Sequence, residues 1–262
     1  MNTKNFFKNI ILLVFLIAHY HCTEITQEKN IGEISPDSDF SSGIDDGNDV
    51  SIVGDLSKQK SGKQKVYFDH IVLDFPRAEY AKYDVAWLTT PKALEFNATE
   101  GMRVDVYEDF FEKYRAYIKN QNVKGKKAYM YMYFVKDIRT GKLLGDFQID
   151  NIDYFSGEAT LRFVVATDME GKGYGTKMMR IMLEKAFDEI GCYRVIGTVA
   201  LDNIASKRIF EKFGFKKEGI LRKYYIVKGG KRIDMILFSM LKEEWEEFKK
   251  NESSIIQYSP NN

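Results

Sequence analysis

Two cysteines and three histidines in 262 residues remove several chemistries at once. Cys22 and Cys192 are too few for the disulfide framework of a small secreted domain, so the fold must stand on its apolar core. His19 and His21 sit at the edge of an N-terminal apolar run, which leaves His70 as the one histidine of the domain that follows. Ser-His-Asp hydrolysis, Cys-His proteolysis and histidine-ligated zinc are therefore disfavoured, and no metal site is expected. Long apolar runs are also scarce. The stretch Ile10–Ala18 falls well short of the ~20 residues needed to span a bilayer. No internal repeat is present, and nothing points to sequence-specific nucleic-acid binding.

Charge is present in abundance and is unevenly spread. Residues 1–22 carry Lys4 and Lys8 without an acid, giving +2. Residues 23–57 carry nine acids against Lys29, giving −8, which leaves +7 for residues 58–262 of the overall +1. A basic domain of that kind suits an anionic ligand. Two lysines, an apolar stretch and then polar residues are the layout of a signal peptide over residues 1–22, although no clean small-x-small cleavage site follows. The expectation is entry into the secretory pathway, with retention as a membrane anchor or a cytoplasmic location as alternatives. Residues 23–62, rich in Asp, Ser, Gly and Glu, read as an acidic disordered linker. Residues 63–248 read as one folded domain and 249–262 as a disordered tail.

Within that domain Val66–Phe75 predicts a strand stopped by Pro76, and helical spacing marks Arg77–Phe96 and Val106–Asn120. Ala128–Lys136, Leu143–Ile152 and Glu158–Thr167 predict three more strands. Gly173–Ile190 predicts a long amphipathic helix with Met178, Met179 and Met182 inward, followed by a strand Arg194–Val199 and a helix Ala205–Phe213. Phe215–Val227 and Ile233–Leu241 complete the sheet around Gly229-Gly230. Strands interleaved with helices in this order give an α/β (α+β) domain with a mixed sheet.

The informative stretch is Glu170-Gly171-Lys172-Gly173-Tyr174-Gly175-Thr176, between a predicted strand and the long helix. Alternate glycines let the backbone approach a ligand, and the helix behind adds unpaired N–H donors and a partial positive end. This suits phosphate. The spacing is neither the dinucleotide pattern G-x-G-x-x-G nor the nucleoside-triphosphatase pattern G-x-x-x-x-G-K-[ST]. A second segment, Asp202-Asn203-Ile204-Ala205-Ser206 continuing to Gly214-Phe215, follows a strand and opens a helix, with Asn203 a candidate N-cap.

Together these segments resemble the Gcn5-related N-acetyltransferase (GNAT) superfamily, in its branch acting on ribosomal-protein N-termini, the RimJ/RimL type. The superfamily's Gln/Arg-x-x-Gly-x-Gly/Ala reads here Glu170-x-x-Gly173-x-Gly175, and the branch's D-N-x-A-S…E-K-x-G-F run stands as Asp202–Phe215. The resemblance implies the GNAT fold, a mixed sheet splayed in its middle with helices on both faces. It implies acetyl-CoA as co-substrate, with Gly171, Lys172, Gly173, Tyr174, Gly175 and Thr176 around the pyrophosphate and Glu170 beside it. Phe163, Val164 and Val165 match the strand that pairs with the pantetheine arm, and Asn203 and Ser206 match positions at CoA or its sulfur. A backbone N–H in that strand would polarise the thioester carbonyl, a role worth ~3 kcal/mol for one well-aimed donor.

Three residues depart from the pattern. Glu170 replaces Gln or Arg and is expected to turn away from the phosphates. Thr160 stands where many relatives carry a glutamate base, so Glu158, two residues earlier on the same strand face, is the candidate catalytic base. Phe210 stands where some relatives use a tyrosine acid, leaving Ser206, water or no group at all to protonate the thiolate. A weak base favours acceptors that shed a proton easily. Deprotonation at pH 7 costs about 4.6 kcal/mol for a lysine amine but only about 1 kcal/mol for an α-amine. The expected acceptor is accordingly a peptide N-terminus or a small amine. A CoA-binding module with weak or no catalysis is the alternative, membrane contact depends on the N-terminal segment, and a homodimer remains open. Asn97-Ala98-Thr99 and Asn251-Glu252-Ser253 are glycosylation sequons if the chain is secreted.

Overall fold

The computed structural model describes residues 65–257, apart from Ala98, Glu100 and 124–126. The expected signal segment and the acidic linker both lie outside the described residues. No helix among the described residues is long and apolar enough to cross a membrane.

Seven strands form one mixed sheet in the order β1-β2-β3-β4-β5-β7-β6. They are β1 (Ile71–Asp74), β2 (Tyr131–Asp137), β3 (Leu143–Asp153), β4 (Glu158–Val165), β5 (Arg194–Ala200), β6 (Lys216–Ile226) and β7 (Arg232–Leu241). The helices are α1 (Ala81–Leu88), α2 (Pro91–Leu94), α3 (Val104–Val123), α4 (Tyr174–Leu183), α5 (Ile204–Lys212) and α6 (Lys242–Gln257). All neighbouring strands run antiparallel except β4 and β5, which run parallel.

The pleat separates two layers of helix. Phe134 of β2 turns to one face, where its ring meets Phe111 of α3 at 5.5 Å, Tyr80 at 5.0 Å and Trp87 of α1 at 6.3 Å. Its neighbour Tyr133 turns to the other face and meets Phe147 of β3 at 5.4 Å. That second face carries α4 and α5, and α6 closes over it through Trp245, which stacks on Phe187 at 6.2 Å. Rings of this size dominate the apolar area withdrawn from water. Trp245, Phe111, Phe134, Phe147 and Phe187 are all among the fully buried side chains.

The differences from the expected elements have local causes. The first strand is shorter than predicted, because Phe68 and Asp69 adopt positive φ and fold Tyr67 back onto Ile71. The helix expected over Arg77–Phe96 breaks at Thr89-Thr90-Pro91. The Thr89 hydroxyl donates back to Val85 O at 2.7 Å, and Thr90 caps α2 by accepting from the Ala93 N–H, with Pro91 in the first turn. The long helix keeps its predicted span but changes pitch, α4 passing into a π-helical turn over Glu184–Ile190 that ends at Gly191 with φ 83°. At the other end, α6 runs on to Gln257, so the tail expected from residue 249 begins as helix.

Candidate functional site

β4 and β5 pair only at Glu158↔Arg194, Ala159↔Val195 and Thr160↔Ile196. Beyond Thr160, β4 keeps its antiparallel ladder to β3 as far as Gly145↔Val165, while β5 continues on β7. The sheet therefore splays between its two parallel strands, toward their carboxyl ends. Alternation along β4 decides which backbone groups face the gap. The Ala166 N–H donates to Leu144 O at 2.9 Å, so Ala166 and Val164 turn their backbone groups to β3. Phe163 and Val165 turn theirs into the splay. Of the three strand residues marked in the sequence, these two present backbone donors there and Val164 does not.

Both segments singled out in the sequence converge on this open end. The Gly173 N-cap of α4 has φ 82°, and the first helical bond runs from the Lys177 N–H to Gly173 O at 3.2 Å. The N–H groups of Tyr174, Gly175 and Thr176 thus have no partner within the helix. Gly171 also has positive φ, at 72°, and an added Cβ at Gly171 or Gly173 would meet nothing within 4 Å. These two glycines serve backbone conformation and leave open space before the helix. Gly175 is different. A Cβ there would lie 2.7 Å from Ile209 Cδ1 and 3.5–3.6 Å from Val165 and Phe163, so it lets α4 approach α5 and the splayed strand.

Asn203 caps α5, its Oδ1 accepting from the Ser206 N–H at 3.1 Å. Ser206 is consequently fixed in the first turn of a helix that starts at the same end of the sheet as α4. Two helix N-termini and two strand donors around one gap make a cradle for an anion with an extended tail. Cations stand nearby. Lys172 donates to Asp168 O at 2.8 Å, Lys142 pairs with the Asp168 carboxylate, and Lys177 lies over the Tyr174 ring at 5.1 Å. Glu170, the acidic departure, is held by Lys92 of α2 at 2.5 Å, which offsets its charge beside the loop.

The structure does not bring Glu158 to this end. It lies in the closed, paired part of β4, about 17 Å along the strand from Phe163. Its carboxylate is in an ion pair with Arg194 at 3.2 Å. Phe210 packs between Phe215 at 4.7 Å and Phe238 at 5.2 Å, and is a core side chain.

Sequence reasoning missed a second cluster, on the face of α1 and α3. Asp84 of α1 and Asp146 of β3 are each only 2% exposed, and their carboxyls share a hydrogen bond. Asp84 Oδ1 and Asp146 Oδ2 are buried without a partner. Burial away from any cation raises both, Asp84 to about 7 and Asp146 well above the carboxylate range, the latter also through the charge of Asp84. The available signal was an acid on a buried stripe, Asp84 lying at helical spacing from Tyr80 and Leu88, and an acid inside the apolar run Leu143–Phe147.

Residues 71–216 match the acetyltransferase (GNAT) domain family, and the chain belongs to that family. Among curated relatives, the putative ribosomal N-acetyltransferase YdaF of Bacillus subtilis is 34% identical over 106 residues, 40% of this chain and 57% of that protein. The spermidine N(1)-acetyltransferase of Vibrio cholerae is 24% identical over 47% of this chain and 68% of its own length. The chain spans little more than half the length of the first curated relatives it matches. Among solved structures, ribosomal-protein-S5-alanine acetyltransferase from Vibrio fischeri superposes with a TM-score of 0.59 at 17% identity, over 69% of this chain and 97% of that one. Mycobacterium smegmatis RimJ in complex with CoA-disulfide gives 0.55 at 23% identity, over 66% and 83%. At these identities the likeness is one of fold: a GNAT sheet with helices on both faces.

Proposed function

We propose that the protein is an N-acetyltransferase that moves the acetyl group of acetyl-CoA onto a primary amine, either a peptide α-amine or a small amine. The observation that carries this reading is the splay itself. It sets the Phe163 and Val165 backbone groups beside a loop whose N–H donors and left-handed glycines suit a diphosphate. Donor in the gap, pyrophosphate on Gly171–Thr176, and a thioester carbonyl polarised by a β4 N–H form one continuous path. Family membership and the names of the relatives, ribosomal and spermidine N-acetyltransferases among them, support amine acetylation.

A second reading, a CoA-binding module with little catalysis, is supported by Glu158 in its ion pair, Thr160 in place of a carboxylate and Phe210 in the core. Thiol release from acetyl-CoA with a panel of peptide and small amines separates the two. Amine-dependent release is expected. Saturable acetyl-CoA binding with no release from any amine would favour the module. The N-terminal apolar segment supports entry into the secretory pathway, where the donor would have to be supplied to the lumen. Imaging of a C-terminally tagged fusion tests this, with a diffuse cytosolic signal as the contrary result.

A further inference from the structure

On the acetyl-transfer reading above, we propose that the Asp84/Asp146 carboxyl pair seats the acceptor's ammonium and is the proton acceptor of the reaction. The placement comes from the sheet register. Asp146 pairs with Val164 across β3 and β4, and Val164 stands between the two residues whose backbone groups enter the splay. The side chains of Asp146 and Val164 turn to the α1/α3 face, opposite the face that carries α4 and α5. α1 packs on β4 as well as on the helices of its own layer, so Asp84 descends onto the splaying strand from above. The phenol of Tyr107 in α3 is within electrostatic range of Asp84, Asp146 and Tyr225 of β6. The pair therefore lies between α1, α3 and the β3–β4 ladder, beside Val164 and next to the gap assigned to the thioester.

The chemistry of the pair is that of a seat for a cation. Two buried carboxyls hold one proton between them, because two charges at hydrogen-bond distance in a dry site cannot both be maintained. No donor from the rest of the protein reaches Asp84 Oδ1 or Asp146 Oδ2. An ammonium supplies both the donors and the charge that are missing. The other charged groups on this face do not compensate the pair. Arg162 of β4 is committed to Asp150 of β3 at 3.0 Å, and the remaining neighbours, Phe134 of β2, Val164 of β4 and the phenol of Tyr107, carry no charge. No lysine, arginine or histidine contributes to the shift of either carboxyl. A proton acceptor that titrates near neutral pH is matched to its task.

The bound ammonium gives one proton to the singly protonated pair, which becomes neutral, and the nitrogen lone pair is freed. Nitrogen bonds to the thioester carbon, the C–S bond breaks, the surplus proton on nitrogen ends on the CoA sulfur, and the pair returns its proton to water.

The test uses the full chain with Asp84→Asn and Asp146→Asn, which keep volume and a hydrogen bond but cannot take up the proton. Thiol release is measured from pH 5.5 to 9.5 with a peptide α-amine and with a lysine ε-amine, beside acetyl-CoA isotherms. Each variant is expected to lose roughly 100-fold in kcat/KM at pH 7, to lose the acidic limb of the wild-type pH profile, and to lose more with the ε-amine than with the α-amine. Donor affinity stays within about twofold on this account. An equal loss for both amines with an unchanged profile would show a structural role and overturn the assignment, as would wild-type rates. A calorimetric titration with n-butylammonium, without CoA, decides the pair even if no amine is acetylated. Wild type is expected to take up the amine as its ammonium with the shared proton retained, and the Asn variants are not. Equal uptake by the variants, or none by wild type, contradicts the assignment, whereas failure of turnover alone contradicts only the acetyl-transfer reading.

Discussion

The two sides of the splayed sheet solve opposite problems. The donor side is built from main chain: left-handed Gly171 and Gly173, the first N–H groups of α4, and the Phe163 and Val165 groups that lose their strand partner. Its charge complement is spread over exposed lysines that water screens, so no single side chain dominates. The other side is built from two side chains that water scarcely reaches, Asp84 and Asp146. An anionic ligand with a long tail is met by many weak, fixed dipoles. A single cation is met by one concentrated charge. Backbone sites demand glycine and tolerate change elsewhere; a buried carboxyl pair tolerates no loss of either member's chemistry.

Gly145 joins the two sides, and substitution there should have the largest effect on stability. A Cβ at this position would lie 2.1 Å from Val164 O and 2.6 Å from the tip of Met178, with φ at 148°. Gly145→Ala must separate β3 from β4 or move α4, so a loss of about 3 kcal/mol is expected, read by urea unfolding. A loss under about 0.5 kcal/mol would mean that the two sides are not rigidly linked.

The carboxyl pair should make the protein less stable as pH rises. A carboxyl whose folded pKa lies above its unfolded value binds its proton more tightly in the native state, so stability is lost between the two values. For Asp84 that window runs from 3.8 to about 7. The melting temperature should fall from pH 4 to pH 8, and Asp84→Asn should melt higher than wild type at pH 8. A flat profile would place a hidden cation beside the pair.

How much was legible follows the same division. GKGYG and the D-N-x-A-S run announced the donor side because a positive φ demands glycine and a helix start demands a cap, and both demands are local in sequence. The cap at Asn203 formed as read, although Gly175 turned out to serve helix packing against Ile209. The acceptor side depends on a long-range meeting of α1 with β3, which no local rule encodes. Strand parity alone points to Glu158. Parity gives the face of a strand but not the position along it, and the residue lies at the closed end, paired with Arg194.

Smaller effects sharpen the contrast. Asn203→Ala should cost about 1 kcal/mol through loss of the α5 cap, measurable by thermal unfolding. Glu158→Gln should change kcat/KM less than threefold if the base lies elsewhere, and a 100-fold loss would restore it to that role. Glu170→Gln removes a carboxylate from beside the phosphate loop and an exposed ion pair of small value, so acetyl-CoA affinity should rise slightly with stability nearly unchanged.

The most direct measurement is an acetyl-CoA binding isotherm on the full chain beside its Gly173→Val variant. A β-branched residue at φ 82° carries backbone strain of about 2 kcal/mol, and its side chain enters the space left before the helix. Saturable binding by wild type, weakened more than tenfold by the substitution while the fold is retained, is the predicted result. No saturable binding by wild type, or an unchanged affinity in the variant, would contradict a donor held by that loop.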